Sequence, residues 1–226
     1  MNTFIDNDDI QIHNGLNTLI AQDGYLLANN LSERSTTHKL AEYYQHYFSE
    51  WNVDCEYNRN LGGPKKIFID PKEILLQMAD NLEKNGYLLQ YLKDTKVSNI
   101  KEQLIDLERQ MRKPKLRYIK ELDIVLFLLK LSDGNYKKMT IYPDIIIHHR
   151  GTTDNNIVIE AKKSINQDFK ARAYDLVKLM TLVSSSDFHY NRGYFIDLPV
   201  KEDCKKFQGF AESKFFSKDV YEIAAK

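Results

Sequence analysis

Cysteine is nearly absent. Cys55 and Cys204 are the whole supply, they lie far apart, and neither has a Cys or His neighbour at zinc-finger spacing. That argues against a disulfide framework or a zinc site and leaves two ordinary, partly buried thiols. Long hydrophobic runs are missing too: nothing approaches the roughly 20 apolar residues that span a bilayer. The stretch Met1-Asn-Thr-Phe-Ile-Asp-Asn-Asp-Asp9 lacks the basic start of a secretory signal. The expectation is a cytoplasmic protein with no membrane partner. Net charge is also absent, 32 Lys and Arg balancing 32 Asp and Glu. The sum therefore neither demands nor excludes a nucleic acid, and the local field decides. No internal repeat, low-complexity tract, helicase signature or second DNA-reading module is present, which argues against strong autonomous sequence recognition.

What is there is the composition of a globular protein, 42% hydrophobic and 28% charged over 226 residues. This length buries a proper core and is most simply one domain, 1–226, carrying an inserted, mainly helical subdomain at 65–138. Charge is unevenly spread. The first 32 residues hold Asp6, Asp8, Asp9 and Asp23 but no Lys or Arg. Basic residues gather between Arg109 and Lys120, and again at Lys162, Lys163, Lys170, Arg172 and Lys178. Each cluster also reads as a solvated face.

Periodicity and capping residues predict the elements. Asp9 to Gln22 reads as a helix ending before Asp23-Gly24. Ser32-Glu33-Arg34-Ser35 caps a second helix, with Leu40, Tyr44, Tyr47 and Phe48 as its apolar stripe and a stop near Trp51-Asn52. Val53 to Tyr57 alternates like a strand, and Asn58 to Pro64 reads as a loop. In the insert, helices are expected from Asp70-Pro71 to Asn85-Gly86 and from Ser98 to Pro114. The second carries a stripe of Ile100, Leu104, Leu107 and Met111. Leu122 to Leu131 is a helix or a strand, with helix preferred. Gln167 to Val183 is helical, Gly193 to Leu198 a strand, and the segment from Lys205 onward helical.

The most informative stretch is Tyr142-Pro143-Asp144-Ile-Ile-Ile-His-His-Arg150, a short polar turn, then Asn156-Ile-Val-Ile-Glu160-Ala161-Lys162-Lys163. Strand residues alternate faces, so Glu160 and Lys162 share one side and Ala161 takes the other. If the strands fold about Gly151-Thr-Thr-Asp154, a symmetric register sets Asp144 opposite the Glu160–Lys162 segment. Two carboxylates beside a Val/Ile-rich strand are costly to bury, which suggests a bound divalent cation. His148 and His149 are adjacent on the strand and point to opposite faces, so they do not chelate one ion together; one is expected inward, the other exposed.

Outside the insert the predicted order is helix, strand, strand, strand, helix, strand. In that order, Asp144 followed by Glu160-Ala161-Lys162 on the next strand resembles the PD-(D/E)XK nuclease superfamily, the restriction-endonuclease-like fold. Ser32-Glu33-Arg34-Ser35-Thr-Thr-His38-Lys39-Leu40-Ala41 with Trp51-Asn-Val-Asp-Cys-Glu56-Tyr57-Asn58-Arg59 further resembles a group of small uncharacterised bacterial proteins in it. The resemblance implies an α/β fold with an αβββαβ core, a central mixed sheet flanked by helices. It implies a metal-dependent nuclease, an endonuclease or exonuclease hydrolysing phosphodiester bonds, with DNA the expected partner. Asp144, Glu160 and the Ala161 carbonyl would hold Mg2+, with Mn2+ as a substitute, because hard oxygen donors suit these ions better than zinc. Lys162 would orient the attacking water and steady the developing charge. Glu33 is the fourth catalytic candidate, with Glu42 its rival and helix capping the plainer role. His38, Lys163, Lys170 and Arg172 are candidate phosphate contacts; Glu56 is either an outer support of the site or an exposed strand residue.

The competing expectation is a module of the same fold that binds nucleic acid or protein without cutting, using the insert as its surface. A homodimer that buries the Ile100, Leu104, Leu107 and Met111 stripe against a second copy is compatible with either.

Overall fold

A computed structural model of the chain describes residues 7–61, 63–69, 137–166, 168–214 and 219–226. Helices α1 (Asn7–Ala28) and α2 (Glu33–Tyr47) lead into strand β1 (Asn52–Cys55). Two short antiparallel pairs follow, β2 (Arg59–Asn60) with β3 (Gly63–Pro64), and β4 (Lys66–Ile69) with β5 (Lys137–Thr140). Then come β6 (Ile145–His148), β7 (Asn155–Lys163), α3 (Phe169–Ser184), β8 (Tyr190–Leu198), α4 (Glu202–Lys205), β9 (Phe210–Lys214) and β10 (Val220–Ala225).

The main sheet is mixed and six-stranded, in the order β1-β6-β7-β8-β10-β9. β1, β6 and β7 run antiparallel in turn, whereas β7 and β8 are parallel, joined by the crossover helix that a parallel pair requires. Alternation divides the two faces. Ile145, Ile147, Ile157, Ile159, Ala161, Tyr194 and Ile196 form one core with Ile12 and Leu16 of α1 and Leu40 and Tyr44 of α2. α3 covers the other face, close enough that a Cβ on Gly193 of β8 would lie 3.1 Å from Val183 and 3.5 Å from Leu179. The architecture is thus α/β, a mixed sheet with helices on both sides. No helix among the described residues is long and apolar enough to cross a membrane.

Three boundaries depart from expectation. α1 continues past Asp23-Gly24, accepting a kink at Asp23 (φ −123°, ψ 22°) so that Leu27 reaches the core. The Asp23 carboxylate accepts a hydrogen bond from the Tyr43 hydroxyl at 2.5 Å, which ties the kink to α2. The Asn58–Pro64 stretch is not all loop, since it contains the β2–β3 pair. The segment after Lys205 is not helical: β10 pairs in parallel with β8 and antiparallel with β9, burying Val220 and Ile223. Sheet pairing overrides the helix preference of its Ala, Glu and Lys content.

The helices expected at 70–86 and 98–114, the 122–131 segment and the proposed dimer stripe lie outside the described residues. The flanks of that region are described. Ile69 pairs with Lys137, so the described residues on either side of 70–136 lie on two neighbouring strands.

Lys65, just before β4, is 2% exposed and donates a hydrogen bond to the Tyr190 hydroxyl, its ammonium 5.0 Å from that ring's centre and 5.9 Å from Tyr57's. Burial lowers its pKa to about 8, from 10.5. Between these values the unfolded chain binds more protons than the folded one, so stability gained from this residue rises with pH. Relative to Lys65→Met, the wild type should therefore gain about 2 kcal/mol of unfolding free energy between pH 7 and pH 10. Denaturant titrations of both proteins across that range test this; a constant difference would mean the ammonium is not desolvated.

Candidate active site

The β6–β7 hairpin is built as its residues suggest. Gly151 takes φ +76° in the connection, His149 N donates to Asp154 O at 2.9 Å, and the Thr152 hydroxyl donates to the His149 carbonyl at 2.8 Å. Ile145 pairs with Ile159, which carries Asp144 to the level of Glu160. Ala161 N then donates to Asp144 Oδ2 at 2.9 Å, fastening the carboxylate across the strand that carries the other two candidates. Glu160 and Lys162 do share a face. Ala161 belongs to the opposite core.

Each charged group here meets a partner from another element. Lys162 Nζ lies 3.3 Å from Glu33 Oε1 on the first turn of α2 and 3.1 Å from Asp175 Oδ2 on α3. Glu160, 1% exposed, accepts from Lys178 Nζ at 2.7 Å, and Lys178 also reaches Asp175 Oδ1 at 3.1 Å. The other oxygen of Glu160 is buried and has no hydrogen-bond partner among the described residues. Burial pushes the Glu160 carboxyl well above its ordinary range, against the pull of Lys178 and with Asp144 and Asp175 adding to the rise. Burial raises Asp144 as well, opposed by Lys162 and the Ala161 N–H. Lys162 and Lys178 shift upward: burial works to lower both, but Asp175 and Asp144 outweigh it at Lys162, and Glu160 and Asp175 at Lys178.

The structure thus brings Asp144, Glu160, Lys162 and Glu33 to one place. Glu42, the rival of Glu33, is exposed and pairs with Lys39 at 2.7 Å. Glu56 pairs with Arg34, and its N–H donates to the Asp144 carbonyl at 3.2 Å, so it supports the hairpin's start from outside. Ser32 makes no side-chain cap on α2.

The candidate phosphate contacts divide. His38 is exposed on α2. Lys163 Nζ donates to the carbonyls of Asn30 and Leu31 in the α1–α2 connection. Arg172 is 7% exposed, paired with Asp197 Oδ2 at 2.6 Å and lying 5.0 Å from the Phe195 ring centre. Its guanidinium is committed to the α3–β8 packing rather than presented outward. The side chain of Lys170 lies outside the described residues. His148 is buried, its Nε2 2.9 Å from Asp54 Oδ2, and His149 stacks on Trp51 at 4.2 Å, so the two do take different environments.

Sequence reasoning missed Asp175 and placed Lys178 only in a basic cluster. A signal exists: Arg172, Asp175 and Lys178 recur every third residue along a helix that otherwise buries Ala173, Leu176, Val177 and Met180. Charges at that spacing in a buried helix demand partners from the facing sheet.

Among the described residues no group of three or more His, Cys, Asp or Glu side chains stands ready to hold a metal ion. Oxygen donors that could suit a hard cation are nonetheless present: the carboxylates of Asp144, just before β6, and of Glu160 on β7, the latter with a buried oxygen lacking a partner among the described residues, and the Ala161 carbonyl, which accepts from Lys162 Nζ at 3.3 Å. Four carboxylates (Asp144, Glu160, Asp175, Glu33) face two ammonium groups (Lys162, Lys178). When all are ionised that leaves an excess negative charge, which a divalent cation would offset. Comparison with known proteins finds no match: no family model fits the chain, and no curated protein or solved structure matches it significantly.

Proposed function

We propose that this chain is a metal-dependent nuclease of the PD-(D/E)XK kind, with a restriction-endonuclease-like αβββαβ core formed by α2, β1, β6, β7, α3 and β8, acting on DNA. The observation that carries the reading is the fastening of Asp144 onto the Ala161 N–H, which sets one carboxylate between Glu160 and Lys162 on the neighbouring strand. Asp144, Glu160 and the Ala161 carbonyl would hold Mg2+ or Mn2+. The ion, when bound, supplies neutralisation of phosphate charge and lowers the pKa of an attacking water.

The chain's own residues do the rest. Lys162, held from two sides by Glu33 and Asp175, presents its ammonium beside Asp144, where it orients the nucleophile and stabilises charge developing on the phosphoryl oxygens. Glu33 positions Lys162 from the first turn of α2. The buried surroundings of Glu160 keep water away from the ligand side of the site, where each electrostatic contact gains strength.

The test is a cleavage panel: linear, circular and single-stranded DNA, and an RNA, each with magnesium, manganese or EDTA. Metal-dependent cutting supports the nuclease and names its substrate. Retention of nucleic acid without cutting, in any metal, would favour the non-cleaving binding module.

A further inference from the structure

We infer that Lys178 is the resident counter-cation of this site, holding Glu160 in the ion-free protein and withdrawing from it as a divalent cation binds. The inference rests on the metal-dependent reading above. Glu160 is almost completely enclosed, and a carboxylate so buried persists only beside a positive charge. That charge is Lys178, 2.7 Å from Oε2, while Oε1 has no hydrogen-bond partner among the described residues. One half of the carboxylate is therefore satisfied and the other is free to accept.

Lys178 has somewhere to go. Its ammonium already reaches Asp175 Oδ1 at 3.1 Å and lies 5.5 Å from the centre of the Tyr174 ring. Both residues are on its own helix. A flexible four-carbon stem allows it to keep Asp175 while releasing Glu160. Two cations cannot share one buried carboxylate without strong repulsion, because charges a few ångströms apart interact strongly where water is excluded. Lys162 does not compete for Glu160: it is anchored by Glu33 and Asp175 and donates to the Ala161 carbonyl at 3.3 Å, and among the described residues its ion pairs do not include Glu160.

Competition predicts that removing the lysine strengthens metal binding. Lys178→Met keeps most of the unbranched stem, one heavy atom shorter, and removes its charge. Calorimetric titration with Mn2+ alone should give a dissociation constant at least tenfold lower for Lys178→Met than for the wild type. The ion-free variant should melt lower than the wild type, and Mn2+ should raise its melting temperature by more. If the methionine variant does not fold, Lys178→Gln, neutral and able to donate to both carboxylates, takes its place in the same titration. Equal or weaker binding by the variant, with the wild type binding, overturns the competition and leaves the metal site standing. Binding by neither protein overturns both. Binding by the variant alone supports the displacement in its strongest form.

Discussion

Glu160→Gln is expected to lower metal-dependent cleavage by at least about 10³-fold, the scale of losing several kcal/mol of transition-state charge stabilisation. The same variant is expected to melt at or above the wild-type temperature. Glu160 is 1% exposed and its carboxyl is pushed up by burial, so the folded protein gains little from its charge. Glutamine preserves shape, and Lys178 retains Asp175 as a partner, so no ammonium is stranded. Loss of cutting with an intact fold separates a chemical role from a structural one; cleavage at the wild-type rate would remove Glu160 from the reaction.

The second large effect belongs to the fold. Gly15 on α1 faces Tyr44 on α2, and a Cβ there would sit 2.3 Å from Tyr44 Cε1 and 2.4 Å from Cδ1. The ring cannot step aside cheaply, since Tyr44 is fully buried and meets Phe48 edge-on at 6.2 Å. Alanine would favour the helix by about 1 kcal/mol, but forcing the two helices apart costs more. A net loss of about 1–3 kcal/mol is expected for Gly15→Ala, a fall of roughly 3–10 °C in Tm for a chain of this size. A thermal melt decides it, and an unchanged Tm would mean the helix pair can open without cost. The consequence reaches the site, because α2 carries Glu33 into contact with Lys162.

Local signals make the hairpin legible in the sequence. Gly151 and the polar residues around it mark the turn, the Ile/Val alternation marks the buried strands, and together they place Asp144 beside Glu160. Legible for the same reason are the apolar stripe of α2 and the different environments of His148 and His149. The C-terminal strands are hidden, because β10 owes its conformation to pairing with β8 and β9 rather than to its own composition. Asp175 and Lys178 are hidden differently. Their meaning depends on which face of α3 meets the sheet, and a helix buried along much of its surface does not announce that face. Arg172 shows the converse case, a basic residue near the site that reads as a phosphate contact in the sequence and pairs with Asp197 on the next strand in the structure.

A crystal soaked in Mn2+ and read by anomalous scattering would test the metal site where it matters. One ion is expected about 2.1 Å from oxygens of Asp144, Glu160 and the Ala161 carbonyl, with Lys178 drawn off Glu160 and still on Asp175. Well-ordered Asp144 and Glu160 carrying no ion at millimolar Mn2+, with Lys178 still on Glu160, would contradict both the metal site and the displacement.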